Sequence, residues 1–214
     1  VKDESFSPLV CRILLPYAGQ IRLHDVEGQL RPPTAEEVPG RRMLAYGTSI
    51  TEGSFATASH LTYPAQAAWR LKSDLINLGS GGSCFCDPAI AEHIAKRDDW
   101  DFAVLELSVN LFACGITAAD FREKAGWFVH RIAKAHPDRL IACITLFPFS
   151  SDIDGKPLRQ SVCPPEDYRR ALRRIVKEID SPNVILIEGS HLLTDMSNLC
   201  ADVLHPGDYG MMQI

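Results

Sequence analysis

Five short apolar runs recur along this 214-residue chain, and each gives way to turn-forming residues. The runs cover residues 43–46, 75–78, 102–107, 140–146 and 184–187. Strands buried on both faces form near-continuous apolar stretches, whereas strands with one solvated face alternate apolar and polar residues. The pattern therefore predicts five strands of a mainly parallel sheet that is covered on both sides.

Apolar residues at helical spacing fill most of the intervals between these runs. Thr62, Asp87 and Thr117 each stand where a side chain can cap a helix, and Pro88 takes the first helical position after Asp87. A last amphipathic stripe runs over 168–179. Strands that alternate with helices in this way predict a three-layer α/β/α sandwich with right-handed crossovers.

The first forty residues have a different pattern. Two apolar segments, 10–15 and 21–26, flank the turn residues Tyr-Ala-Gly at 17–19, and a Pro-rich stretch follows over 31–40. This order predicts two strands joined as a hairpin, and then a linker.

We therefore divide the chain into a hairpin and linker over 1–40 and one globular domain over 41–214. The hairpin is either an edge of the sheet or the tail of an upstream β-domain. Since the chain starts at Val1 rather than Met, we expect it to be a fragment of a longer protein.

Charge and composition disfavour nucleic acid as a partner. The formal net charge is −5 and no block of Lys or Arg stands out. The arginine pairs 169–170 and 173–174 fall on one amphipathic helix, where a solvated face is the expected interpretation. No apolar run is long enough to span a bilayer, so we expect no membrane span.

The cysteine pattern bears on the compartment. The seven cysteines are an odd number and form no CxxC pair, which favours a reducing, cytoplasmic environment. Nothing in the sequence predicts an oligomeric state.

Four polar segments follow predicted strands, where open α/β sheets bind ligands. They are GTSIT at 47–51, NLGSGGS at 77–83, ELSVN at 106–110 and DVLHP at 202–206. Each segment by itself also fits an ordinary turn, and the glycine-rich one lacks dinucleotide-loop spacing. Because all four lie at the same edge of one sheet, together they predict a single site.

The residue types in these segments suit catalysis. Ser49 can act as a nucleophile, and Asp202 can hold one imidazole nitrogen of His205 while the other nitrogen faces outward. The amide of Asn110 can donate to a developing oxyanion. His60, the other histidine near the first segment, is interpreted as a surface or loop residue.

Taken in order, the segments resemble the conserved blocks of the GDSL-type lipase/esterase family, also called SGNH hydrolases. The resemblance implies that Ser49 of GTSIT is the nucleophile and Gly82 of NLGSGG the oxyanion-hole glycine. It places the oxyanion asparagine at Asn110 of SVN, and the other triad members at Asp202 and His205 of DVLHP. The fold implied is the family's flavodoxin-like sheet of five mainly parallel strands.

The resemblance covers roughly 41–214 and includes departures. Thr48 stands where the family usually carries Asp, and Ser108 and Leu111 replace residues of the third block. The change at Thr48 does not touch the triad, whereas the other two put the shape of that loop, and with it the substrate, in doubt. Such variants resemble a branch with an N-terminal β-domain.

The implied function is that of a serine esterase that hydrolyses a small acyl ester, with acetyl on a carbohydrate favoured. The oxyanion hole would comprise the backbone N–H groups of Ser49 and Gly82 and the Asn110 amide. No metal or other cofactor is implied. The absence of GxSxG and HExxH disfavours the α/β-hydrolases and the commonest zinc hydrolases.

Two alternatives stay open. The same residues would serve an acyltransferase that passes the acyl group to an alcohol, and an inactive SGNH fold would be a binding module. The long loop over 147–165 is expected to line the pocket, although a surface loop of no consequence fits equally well.

Overall fold

The structure is a computed structural model that describes residues 6–15 and 20–214. Its described residues contain one sheet of five parallel strands, in the order β2-β1-β3-β4-β5. The strands are β1 Arg42–Gly47, β2 Asp74–Asn77, β3 Phe102–Glu106, β4 Leu140–Ile144 and β5 Val184–Ile187. The predicted sheet is confirmed, with strand bounds within two residues of the apolar runs.

Helices cover the sheet on both faces because alternate strand residues point to opposite sides. The helices are α1 Ser49–Glu52, α2 Tyr63–Arg70, α3 Pro88–Lys96, α4 Val109–Ala113, α5 Ala118–Ala135, α6 Ser150–Asp154, α7 Pro165–Ile179, α8 Gly189–Leu192 and α9 Asp208–Gln213, with short 3-10 turns at Ser59–Leu61 and Met196–Asn198. Leu44 contributes to a core shared with α3, α5 and α7, while Met43 and Ala45 pack against Ala68 of α2. Ile144 packs with Met211 of α9. The three-layer α/β/α prediction is confirmed.

The predicted helix starts are also confirmed. Thr62 and Thr117 are N-caps whose side chains accept from backbone N–H groups of the first turn. Asp87 occupies the N-cap of α3 without a side-chain capping bond, and Pro88 sets the first turn instead.

The prediction of two strands in the first forty residues is wrong. Within the described ranges 6–15 and 20–40, neither 10–15 nor 21–26 forms a strand, and the turn at 17–19 lies outside the described residues. Apolar residues there are exposed, including Ile13 at 71% and Leu23 at 69%. An apolar pattern indicates residues that favour burial, but a strand forms only where a partner strand takes up its backbone hydrogen bonds. That these residues end an upstream β-domain stays a prediction.

A second correction concerns the arginines of α7. Arg169 is buried instead of solvated, with only 7% of its surface exposed. Its guanidinium forms bidentate bonds of 2.7 and 2.8 Å with Asp152 and donates to the carbonyls of Leu146 and Phe147 at 2.9 and 3.2 Å. It thereby fixes the loop after β4, because each contact joins α7 to a different point of that loop.

Replacing Arg169 with Ala should lower the free energy of unfolding by about 3–5 kcal/mol, since the Asp152 carboxylate would lose its ion pair and two buried carbonyls would lose a donor. Arg170→Ala is the matched control on the same helix. Its exposed pair with Asp167 should contribute about 1 kcal/mol or less. Urea unfolding measures both, and equal losses would contradict the structural role of Arg169.

Candidate active site

Ser49 lies two residues beyond the end of β1, at the first position of α1. Thr48 caps that helix, and its side chain accepts from Ile50 N. This placement holds the serine at the carboxyl edge of the second strand of the sheet, where open parallel sheets bind ligands.

A buried carboxyl group holds the loop that carries Ser49. Glu106, at the end of β3, is 1% exposed. Its Oε2 accepts from Thr48 N at 2.9 Å, from Thr48 Oγ1 at 2.5 Å and from Thr51 Oγ1 at 3.3 Å. The Tyr63 hydroxyl lies 2.7 Å from Thr51 Oγ1 and extends the network to α2.

The same burial alters the acidity of this group. Desolvation raises the pKa of Glu106 to about 7, against the hydrogen bonds from Thr48 and Thr51 that favour its ionised form. Sequence reasoning treated Glu106 only as part of the ELSVN segment. The sequence did contain a signal for its structural role, because Glu106 is a carboxylate at the end of an apolar run. A charged group at such a position is buried and needs hydrogen-bond partners.

Asp202, His205 and Ser49 lie within hydrogen-bond distance in series. His205 Nε2 is 2.7 Å from Ser49 Oγ, and His205 Nδ1 is 2.5 Å from Asp202 Oδ2. The other Asp202 oxygen accepts from the backbone N–H groups of Leu204 and His205, each at 3.1 Å. Partial burial raises the pKa of Asp202, but these hydrogen bonds outweigh it and the net shift is downward.

The segment that carries His205 is held by hydrogen bonds within itself and to neighbouring loops. Cys200 N donates to the His205 carbonyl at 2.8 Å, and Ser150 N of the loop after β4 donates to the Val203 carbonyl at 2.9 Å. Beyond the histidine, the Asp208 carboxylate accepts from Thr57 N and Oγ1 at 2.8 and 2.7 Å. The contact from Ser150 thus joins the loop over 147–165 to the segment that carries His205, and that this loop lines the pocket stays a prediction.

Phe55 covers the imidazole, a contact that sequence reasoning missed. Its ring is stacked on that of His205 with centroids 5.1 Å apart and planes at 29°. Phe55 has a φ of 69°, a left-handed conformation that bulky residues rarely adopt. Such strain is typical of functional sites, and no periodicity in the sequence indicates it.

Of the two remaining predicted residues, Gly82 lies on the loop after β2 and Asn110 lies in α4, after β3. Gly82 has a φ of 71°, which favours glycine, and a Cβ added to its neighbour Gly81 would lie 3.6 Å from Ser49 Cβ. Asn110 Oδ1 accepts from Cys84 N at 3.1 Å, which identifies the other amide atom as the NH₂ donor. Gly82 and Asn110 therefore follow β2 and β3, the two strands that flank β1 in the sheet, and their donor roles stay predictions.

Other possible site features carry less chemistry. His60 is exposed on a 3-10 turn, as predicted. In the described part of the chain, no group of three or more His, Cys, Asp or Glu side chains is arranged to hold a metal ion. Of the helices in the described ranges, none combines the length and the apolar character needed to cross a membrane.

Comparison with known proteins gave one family match. Residues 40–214 match the sequence profile of the GDSL-like Lipase/Acylhydrolase family. No curated protein matched the chain.

Solved structures of similar fold include a GDSL-like lipase candidate from Bacteroides ovatus, at 22% identity and a TM-score of 0.68, with 81% of this chain and 50% of that one covered. The salicylyl-acyltransferase SsfX3 of a tetracycline biosynthetic pathway is 22% identical with a TM-score of 0.69, and the match covers 81% of this chain and 51% of that one. A family two carbohydrate esterase from Clostridium thermocellum, solved with cellohexaose, is 15% identical with a TM-score of 0.60, and the match covers 80% of this chain and 60% of that one. The chain thus spans about half the length of the first two.

The raised pKa of Glu106 predicts a pH dependence of stability. Between the unfolded value of 4.5 and the folded value of about 7, the unfolded chain loses the proton first, so rising pH favours unfolding. The free energy of unfolding should fall by about 3 kcal/mol across this range because of Glu106 alone. Glu106→Gln, which keeps an acceptor for Thr48, should remove this part.

Urea unfolding of the wild type and of Glu106→Gln between pH 4.5 and 8 measures the difference between their free energies of unfolding. All other titrating groups contribute equally to the two proteins and therefore cancel from this difference. Parallel curves for the wild type and Glu106→Gln would refute the assignment. Glu106→Ala should be less stable than either at every pH, because it leaves the buried Thr48 N–H without an acceptor.

Proposed function

Since the chain belongs to the GDSL-like lipase/acylhydrolase family, we propose that it is a serine esterase with Ser49 as nucleophile. One observation carries the proposal, namely the series of two short hydrogen bonds from Ser49 through His205 to Asp202. Such an arrangement couples a weak nucleophile to a base that is itself oriented by a carboxylate.

The proposed reaction is acyl transfer in two steps. His205 Nε2 takes the proton of Ser49 Oγ as this oxygen bonds to the ester carbonyl carbon. The resulting imidazolium then protonates the leaving alcohol when the carbonyl–alkoxy bond breaks. Water next attacks the acyl-enzyme with His205 again as base, which releases the acid and the free serine. The lowered pKa of Asp202 keeps it ionised at neutral pH, where it stabilises the charged imidazole.

Charge that develops on the carbonyl oxygen needs donors. We assign these to the backbone N–H groups of Ser49 and Gly82 and to the Asn110 amide. The assignment is supported by the glycine loop beside Ser49 and by the Cys84 contact that orients the Asn110 amide.

The substrate proposed is a small acyl ester, with acetyl on a carbohydrate favoured. Its support is the likeness in fold to the Clostridium thermocellum carbohydrate esterase. An acyltransferase is the second candidate, supported by the likeness in fold to salicylyl-acyltransferase SsfX3.

Solvent access makes water available as the acyl acceptor. The Asp202 side chain is 37% exposed and that of His205 is 14% exposed, so bulk water reaches the site. Product analysis with and without added alcohols separates hydrolysis from transfer.

A non-catalytic binding module is disfavoured, because an inactive copy has no need to keep Ser49, Asp202 and His205 in contact.

The first test is hydrolysis of p-nitrophenyl acetate by the wild type and by Ser49→Ala. Loss of the nucleophile should lower kcat by on the order of 10⁴-fold or more. The control is Ser190→Ala, which removes an exposed serine of α8 and should retain wild-type activity. Retained turnover in Ser49→Ala would end the proposal.

A pair of variants isolates the Asn110 donor. Asn110→Asp keeps an acceptor for Cys84 N but has no NH₂ group, whereas Asn110→Ala loses both functions. Both should lower kcat by about a hundredfold or more. Only Asn110→Ala should also lose stability, by about 1 kcal/mol. Wild-type kcat in the Asp variant would remove Asn110 from the oxyanion hole.

A further inference from the structure

A groove lies on the β2 side of α1, the short helix that begins at Ser49. It encloses about 320 Å³ and lies between α1, α2, β2 and the segment over 6–15, called here the arm. Its lining is mixed, with Leu14 and Leu15 of the arm beside polar residues that include Glu52 and Ser59. Ligand pockets of small molecules combine apolar walls with a few polar groups in this way.

The arm is fixed in this position by two contacts. Arg12 pairs with Asp74, at the start of β2, at 3.0 Å. Ser59 Oγ donates to the Leu15 carbonyl at 2.9 Å. The arm therefore forms a wall of the groove even though it precedes the part of the chain that matches the family.

Glu52 connects the groove to the nucleophile. It ends the short helix α1 that begins at Ser49. A Cβ added to Gly81 would lie 2.5 Å from Glu52 Oε2 and 3.6 Å from Ser49 Cβ, so the carboxylate and the nucleophile flank the same residue. Ser54 Oγ donates to the same carboxylate oxygen at 3.4 Å.

The glycine loop packs directly on α1 and so sets the position of Glu52 beside the groove. A Cβ at Gly79 would lie 2.2 Å from Glu52 N, so only glycine lets the loop after β2 pack directly on α1. Asn77 Nδ2 donates to the Thr51 carbonyl at 2.9 Å and fixes the loop from below.

We propose that this groove is the subsite for the alcohol portion of the ester, and that it takes a hydroxyl-rich alcohol such as a pyranose ring. Glu52 accepts hydrogen bonds from hydroxyl groups, and the C–H face of the ring packs on Leu14 and Leu15. The inference rests on the proposed esterase function, and it makes Glu52 and the arm determinants of substrate specificity.

The chemistry of the lining distinguishes the alcohol from the acyl portion. An acyl chain in this groove would desolvate the Glu52 carboxylate without offering it a donor, which is unfavourable. A sugar presents hydroxyl donors at its edge and apolar carbon at its face, and so matches both walls.

The experiment compares kcat/KM for two acetyl esters, p-nitrophenyl acetate and a singly acetylated methyl xylopyranoside. The nitrophenyl group has no hydroxyl to donate to Glu52. In Glu52→Gln the ratio of sugar ester to nitrophenyl ester should fall by about tenfold or more, mainly through KM, because hydrogen bonds to charged groups are the stronger ones. Leu15→Asn should lower the ratio as well, and Glu36→Gln, an exposed carboxylate outside the groove, is the control.

An unchanged ratio in Glu52→Gln and Leu15→Asn, or an equal loss on both esters, would overturn the proposal while leaving the esterase intact. Should the wild type hydrolyse neither ester, the proposed function fails, and a binding experiment then tests whether the groove takes a sugar. Saturation-transfer NMR with methyl xylopyranoside then supports the subsite if the signal disappears in Glu52→Gln. Equal signals, or none in the wild type, overturn it.

Discussion

The buried carboxyl group of Glu106 is the constraint on which the site depends. In the sheet register Glu106 pairs with Gly47, so its side chain lies beside the first residue after β1. There it accepts from the N–H and hydroxyl groups of Thr48. Burying a carboxyl group is costly, and these bonds offset part of that cost only while the loop keeps its position. The position of Ser49 is therefore set by two adjacent strands of the sheet.

The other half of the site comes from 156 residues farther along the chain. His205 lies on an irregular segment, and its position depends on contacts with loops that follow other strands. Thr57 binds Asp208, Ser150 binds the Val203 carbonyl, and Arg169 fixes the loop that carries Ser150. The nucleophile is thus set by the sheet, whereas the base is set by packing between loops, and Arg169 affects the site without touching it.

Local patterns in the sequence predict most of this architecture. The apolar runs predict all five strands, and the order of Ser49, Asp202 and His205 at the same edge predicts which side chains meet. What the sequence does not predict depends on distant partners. Arg169 occupies a polar position in the amphipathic pattern of α7, which predicts exposure. It is buried because the loop after β4 packs over it, and the helical pattern contains no information about that loop. The apolar residues of 10–26 suggest strands, but no pattern identifies a partner strand, and the structure has none for them in its described ranges.

Intact-mass analysis after treatment with a fluorophosphonate shows whether Ser49 is an activated nucleophile, as its contact with His205 requires. This probe forms a stable adduct with activated serines and needs no knowledge of the natural ester. One adduct is expected on the wild type and none on Ser49→Ala, although the chain has many other serines. An unlabelled but folded wild type, or an adduct that persists in Ser49→Ala, would contradict the activation of Ser49.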